Sequence, residues 1–171
     1  MTEDIVINVL PALSSKRLDL RTMLDTDDAE LFDIYGDPLV MRYTDEDPFP
    51  HVATVRQMLE SVRRLLREGQ SLEWAIVLRS SGALIGTCGL HGFDRKARSA
   101  QAGCLLRRDA WGHGYMREAL SLVMEFAVKE LRLTLLIADI APANQRACRL
   151  FHHLGFADAQ PGILRRQLSI E

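Results

Sequence analysis

The stretch Ala110–Ala119, AWGHGYMREA, places two glycines two residues apart, immediately before a run with helical periodicity. From Met116 onward, apolar residues recur at the spacing of one helix face, and the stripe ends near Arg132. Its members are Met116, Ala119, Leu120, Val123, Phe126, Ala127 and Leu131. The stretch therefore predicts a strand-to-helix turn with Gly112 and Gly114 at the N-terminus of a long helix.

A glycine turn at a helix N-terminus is suited to bind an anion. Its free N–H groups and the positive end of the helix dipole attract negative charge, and glycine lets a phosphate approach the main chain. Glycines that serve only a tight turn are the alternative. The phosphate-loop and dinucleotide motifs are excluded, because no Gly-Lys-Ser/Thr follows and no third glycine stands at the required spacing.

Elements on both sides of the turn alternate along the chain. We expect strands at 17–23, 72–79, 83–90, 100–107 and 134–140. We expect helices from the acidic cap at 25–28 to Gly36, from Val55 to Gly69, and from Asn144 to the Leu154–Phe156 segment. Ser80–Gly82 predicts a hairpin turn, and the charged, proline-rich segment 43–50 predicts a loop.

Composition and charge indicate one compact domain spanning residues 1–171. The chain is 47% hydrophobic and carries 21 basic against 23 acidic residues, so no global field favours nucleic acid or a membrane surface. The acidic start is unlike a secretory signal and no apolar run is long enough to span a bilayer, so we expect a cytoplasmic protein. Cys88, Cys104 and Cys148 match neither a disulfide framework nor a metal site. We expect no metal, and reduced, buried thiols at Cys88 and Cys104.

The order of these motifs resembles the GNAT superfamily of acyl-CoA N-acetyltransferases. The similarity extends from Arg17 to Arg166 and is greatest to the branch of the RimJ and RimL ribosomal-protein N-terminal acetyltransferases. It is carried by RLDLR, the Asp37–Tyr43 turn, WAIVLR, LIGTCGLHG, WGHGY and the 144–156 segment. The resemblance implies a mixed α+β fold, mostly antiparallel, with a central parallel pair of strands, 100–107 and 134–140, that splay apart.

The resemblance also implies an acetyl-CoA site. Backbone amides from His113 to Met116 would hold the pyrophosphate, and unpaired main-chain groups on the strand before the turn would pair with pantetheine. The N–H of Leu105 would point at the thioester carbonyl. The implied cofactor-binding residues are Leu105, Leu106, Arg107, Trp111, Gly112, His113, Gly114, Tyr115, Met116, Asn144 and Phe151. Trp111 could equally be a packing residue, and Asn144 could also cap its helix. Met116 replaces the small residue usual in the family, which could tighten the loop around the phosphate.

The acid and base depart from the family pattern. Gln101 stands where many members carry a glutamate base, and Ala147 and Phe151 stand where Ser or Tyr protonates the leaving thiolate. His91 is the candidate base because of its intrinsic pKa range, with a structural histidine as the alternative. Cys148 is a candidate acid. If the enzyme has neither a general base nor a general acid, it would rely on positioning of the substrates, with water moving the protons. An acceptor α-amino group, with a pKa near 7.7 to 8.0, would be the easiest to deprotonate.

The resemblance implies that the acceptor is a primary amine, either a protein N-terminus or a small molecule. Asp45, Glu46 and Asp47 either line the mouth of the acceptor groove or form a plain exposed loop. Relatives usually continue past 162–170 into one more strand, whereas this chain stops at Glu171. The sheet could therefore lack its last strand, and a homodimer would cover the edge. The rival to the enzyme is an acyl-CoA-binding module that has lost its acid and base.

Overall fold

The computed structural model describes residues 7–169. Within that range the α-helices are α1 (Asp28–Tyr35), α2 (Pro38–Met41), α3 (Val52–Arg67), α4 (Tyr115–Lys129) and α5 (Gln145–His153). The strands are β1 (Leu13–Ser14), β2 (Leu18–Arg21), β3 (Ser71–Leu78), β4 (Leu84–Asp94), β5 (Ser99–Leu106), β6 (Leu135–Asp139), β7 (Ala157–Gln160) and β8 (Ile163–Gln167). Short 3₁₀ turns at 25–27 and 108–110 precede α1 and the glycine turn. None of the helices in the described range is long and apolar enough to cross a membrane.

All eight strands belong to one sheet in the order β1-β2-β3-β4-β5-β6-β8-β7. Every neighbouring pair is antiparallel except β5 and β6, which run parallel. That parallel pairing covers only Ser99–Gln101 against Leu135–Ile137, and beyond it the two strands separate. The expected mixed fold with a splayed central pair is confirmed. We call the opening between β5 and β6 beyond Gln101 the cleft.

Helices cover the two faces of the sheet. On one face α4 packs against the larger core, where fully buried Trp74 meets Phe126 edge to face at 5.5 Å and its indole N–H donates to Pro11 O at 2.7 Å. Burying an aromatic side chain of this size contributes about 1.5 to 3 kcal/mol. On the other face α1 and α3 pack over a smaller core around Leu31, Ile34 and Leu59. We call this second face the acceptor face.

The C-terminal hairpin corrects the expectation of a missing last strand. Residues 157–160 form a strand that sequence analysis missed, because all four side chains are exposed and show no apolar alternation. Segment 163–167 is the second strand of this hairpin and inserts between β6 and β7. The open edge therefore falls on β7. The two-residue strand β1 was also missed, and the other predicted strands and helices are present.

Candidate active site

The glycine turn has the conformation that its sequence predicts. Gly112 and Gly114 have φ of +80° and +76°, a region in which residues with a Cβ are strained. α4 begins at Tyr115, so the N–H groups of its first turn have no partner within the helix. Among residues 7–169, no hydrogen bond uses the N–H groups of residues 112–117. These donors surround the positive end of α4.

Glu118 and Arg17 hold the glycine turn in place. The Glu118 carboxylate accepts hydrogen bonds from Ser15 Oγ at 2.6 Å, Arg17 N at 3.0 Å and Arg17 Nε at 2.7 Å. The Arg17 guanidinium also donates to His113 O at 2.9 Å and lies 4.5 Å from the centroid of the Tyr115 ring. Sequence analysis did not find this pair, since about a hundred residues separate its members along the chain.

The other side chains of the turn differ in their exposure to solvent. His113 is exposed, and its ring stands 5.5 Å from that of the half-buried Tyr115. Met116 is buried among the residues under α4. Its side chain therefore packs into the core, and the expectation that it tightens the loop around a phosphate stays a prediction.

The register of β5 shows which backbone groups face the cleft. Arg107 N–H donates to Ile85 O at 2.7 Å, and β5 pairs with β4 without interruption from Gln101 to Leu106. Because hydrogen-bonded pairs alternate along antiparallel strands, Leu105 is hydrogen-bonded to Thr87 of β4. Its N–H points away from the cleft, so the prediction for Leu105 is wrong. The N–H groups that face the cleft belong to Cys104 and Leu106.

The end of β5 is connected to the glycine turn and to α5. Trp111 Nε1–H donates to Leu106 O at 2.8 Å, and the guanidinium of Arg146 lies 3.2 Å from the centroid of the Trp111 ring. Trp111 therefore packs between elements on both sides of the cleft. The Arg107 side chain is bonded to Leu84 O and to Asp109, so Arg107 has a structural role, and its main-chain N–H does not face the cleft.

The start of α5 lies at the far side of the cleft, after β6. Asn144 caps α5 by accepting the Ala147 N–H at 3.2 Å, as its capping alternative predicts. Cys148 is half-buried against the core. Phe151 is buried and meets Phe156 edge to face at 4.9 Å. Its ring belongs to the core beneath α5.

His91 lies on the acceptor face, opposite Gln101 of β5. A Cβ built on the neighbouring Gly103 would stand 3.5 Å from His91 Cε1, so the imidazole ring lies beside that glycine. The structure therefore brings His91 next to the start of the cleft. Cys148 belongs to α5 and packs against the core of the other face, so the two candidate catalytic side chains lie on opposite sides of the sheet.

Sequence analysis missed a carboxylate on the acceptor face, that of Glu73. Glu73 pairs with Gly89 of β4, and Gly89 pairs with Gly103 of β5. A Cβ on Gly89 would lie 2.7 Å from the Glu73 carboxyl carbon, so this side chain extends across the glycine. The signal in the sequence is a single charge inside the strand Ser71–Leu78, whose other residues are apolar apart from its first. In the described range, no group of His, Cys, Asp and Glu is arranged to hold a metal ion.

A family model described as an acetyltransferase (GNAT) domain matches residues 17–157. The chain belongs to the GNAT acetyltransferase family. As a GNAT protein it is an N-acetyltransferase, in agreement with the resemblance found in its sequence. Among relatives, it is 31% identical over 156 residues to the "uncharacterized N-acetyltransferase p20" of Bacillus licheniformis, covering 91% of this chain and 86% of that protein.

Solved structures share this GNAT fold. The spermidine N-acetyltransferase of Vibrio cholerae, in complex with CoA and spermine, is 16% identical with a TM-score of 0.77, over 90% of this chain and 96% of that one. Mycobacterium smegmatis RimJ, in complex with CoA-disulfide, is 17% identical with a TM-score of 0.75, over 92% and 86%. At these identities the likeness concerns the fold.

Proposed function

We propose that this enzyme transfers the acetyl group of acetyl-CoA to a primary amine by direct attack in a ternary complex. The observation that carries the proposal is the cleft between β5 and β6, which opens directly beside the glycine turn. A cofactor that carries a diphosphate and, at the end of an extended arm, a thioester matches that arrangement. The proposal agrees with the coenzyme A bound to the two similar enzymes.

The backbone supplies donors at both ends of the proposed cofactor site. The unpaired N–H groups of residues 112–117 suit the diphosphate, and the dipole of α4 adds to their attraction. The N–H groups of Cys104 and Leu106 suit the pantetheine arm and thioester, since β6 has already diverged there. We assign the donor that stabilises the oxyanion to Cys104 N–H, in place of Leu105.

The acceptor groove lies on the acceptor face, under the loop 43–50. Phe49 of that loop stacks on Tyr35 of α1 at 5.1 Å, and the Tyr35 hydroxyl shares a hydrogen bond of 3.0 Å with Thr87 of β4. Asp45, Glu46 and Asp47 are exposed on this loop. Three carboxylates close to the groove favour a cationic amine, either a protein N-terminus or a small polyamine. One similar enzyme is named for spermidine, and another for a ribosomal-protein alanine.

The rival is an acyl-CoA-binding module without turnover. Thiol release from acetyl-CoA, measured with a panel of polyamines, amino acids and N-terminal peptides, separates the two. We expect at least one amine to accelerate thiol release and to gain an acetyl group detectable by mass spectrometry. Tight coenzyme A binding without release by any amine would favour the module.

Two further proposals concern the environment of the enzyme. The cysteines Cys88, Cys104 and Cys148 are free thiols, which suits the reducing cytoplasm. The exposed edge strand Ala157–Gln160 could pair with a second copy of the chain and form a homodimer. Light scattering coupled to size-exclusion chromatography tests the dimer.

A further inference from the structure

We propose that Glu73 is the general base, the group that accepts the proton of the attacking amine. This inference rests on the proposed acetyl transfer and assigns a catalytic residue to it. It places the base on β3, two strands away from the cleft strand β5, where Gln101 cannot accept a proton.

The first argument is the short path from Glu73 to the cleft, which crosses two glycines. Glu73, Gly89 and Gly103 stand side by side across three strands on the acceptor face. Neither glycine has a side chain that would fill the space between the carboxylate and β5. Gly103 precedes Cys104, whose N–H faces the cleft. Because the carboxylate lies over Gly89, a ligand resting on Gly103 would lie between Glu73 and the thioester site.

The Glu73 carboxylate occupies the space above Gly89. A Cβ there would lie 2.9 Å from Glu73 Oε1 and 2.2 Å from Leu72 O, both too close for any side chain. Gly103 leaves more room, with His91 Cε1 at 3.5 Å as its nearest neighbour. Gly89 therefore lies directly beneath the carboxylate, with Gly103 beside it on the next strand.

The second argument is that the Glu73 carboxylate has no structural partner. Among residues 7–169, no hydrogen bond or ion pair reaches it, and its oxygens are not sealed from solvent. Two buried-side carboxylates of neighbouring elements do have partners: Asp27 pairs with Arg21 at 2.7 Å, and Glu30 accepts the Leu84 N–H at 2.7 Å. A half-buried carboxylate without a partner destabilises a fold, so a purely structural role does not explain Glu73.

The surroundings give Glu73 the protonation behaviour of a base. Burial raises the pKa of Glu73 to about 7, so the group is partly ionised at neutral pH. The titratable groups around it are Tyr35 on α1, His91 and Cys88 on β4, and Cys104 on β5. Burial, together with the Glu73 charge, raises the pKa values of Tyr35 and Cys88, and that of Cys104 to about 12. Of these neighbours, the tyrosine and the two thiols therefore stay neutral near pH 7.

The proton balance is complete with Glu73 in this role. The incoming ammonium gives one proton to the Glu73 carboxylate, which later returns it to solvent. The amine lone pair then forms the bond to the acyl carbon, and the carbon–sulfur bond breaks with its electron pair leaving on sulfur. The second nitrogen proton passes to the thiolate through water. The net products are the acetamide, the thiol and one proton.

The test compares Glu73→Gln with the same change at Glu30, which has a structural partner. The readout is thiol release between pH 5.5 and 9 with the best amine of the panel, together with coenzyme A affinity by calorimetry. We expect Glu73→Gln to lower kcat/KM by about 10²- to 10⁴-fold and to lose the limb that rises through pH 7. Coenzyme A affinity should change little, Glu73→Asp should recover part of the rate, and Glu30→Gln should keep the limb.

The outcomes distinguish a failure of the Glu73 assignment from a failure of the proposed acetyl transfer. A limb caused by titration of the acceptor persists in both variants, whereas the limb of Glu73 disappears only in Glu73→Gln. If Glu73→Gln keeps the rate and the limb while His91→Gln loses both, the base is His91 and the inference is overturned. If the wild type binds coenzyme A but no amine releases thiol, the proposed function itself fails.

Discussion

Two glutamates on opposite sides of the proposed reaction centre differ in their partners. Glu118, under the glycine turn, accepts three hydrogen bonds from Ser15 and Arg17. Burial alone would raise its pKa, but these bonds hold the pKa of Glu118 below its ordinary value. Glu73, on the acceptor face, has no such partners among residues 7–169, and burial raises its pKa to about 7. The same side chain is therefore a fixed anion in one region and a proton acceptor in the other.

The difference follows from what each region has to do. The cofactor side must keep one backbone arrangement open to a phosphate, and a permanently charged carboxylate that fixes Arg17 stabilises that arrangement. The acceptor side must change its protonation state at every turnover, which requires a group that ionises near the working pH.

The largest expected effect is that of a negative charge in the glycine turn. Gly114→Asp places a carboxylate against the proposed diphosphate site and adds a Cβ at φ +76°. Like charges in contact cost several kcal/mol, so coenzyme A affinity by calorimetry should fall by more than about 100-fold. The control is Gly82→Asp in the β3–β4 hairpin, where φ is +73° and no atom of the described residues lies within 4 Å of the added Cβ. Equal losses in both variants would mean that backbone strain, and not charge, is responsible.

Removing the charge of Glu73 should change how stability depends on pH. The raised pKa means that the folded state binds the Glu73 proton more tightly, so the wild type loses stability as pH rises from about 4.5 to about 7. Glu73→Gln lacks this loss and should gain about 1 to 3 kcal/mol relative to wild type between pH 4.5 and pH 8. Urea unfolding at both pH values measures the gain. A difference that is the same at both would show an ordinary pKa for Glu73.

Breaking the attachment of the glycine turn should have a smaller effect. Glu118→Ala removes the charged acceptor that orients Arg17, and coenzyme A affinity should fall by about tenfold. Glu125→Ala on the same helix is the matched control, because within the described part of the chain its carboxylate pairs only with the exposed Lys129. The interpretation of Glu118 is wrong if both variants bind coenzyme A as the wild type does.

The smallest effect is expected at the acidic loop. Replacing Asp45, Glu46 and Asp47 by their amides should raise KM for a polyamine acceptor a few-fold, with kcat unchanged, because exposed charges contribute only a few tenths of a kcal/mol each. The increase should vanish at 0.5 M salt. An acceptor without additional positive charge serves as the control, and a similar increase for it would exclude electrostatic attraction.

The elements of the fold were largely predictable because their signals are local. Periodicity, caps and turns located α1, α3, α4, α5, the β3–β4 hairpin and the strands β5 and β6. The strand Ala157–Gln160 was not predictable, since an edge strand with both faces exposed has no apolar pattern. The order of motifs around the glycine turn identified the family without any coordinates.

The sequence by itself determined the family, the glycine turn and the candidates His91 and Asn144. Only the tertiary structure decided which groups face each other. Strand pairing turned Leu105 N–H toward β4 and Cys104 N–H toward the cleft, because hydrogen-bond direction depends on register and not on residue type. It also brought Arg17 to Glu118, and the Glu73 carboxylate over Gly89. These contacts join distant segments, and a single sequence carries no record of which distant residues will meet.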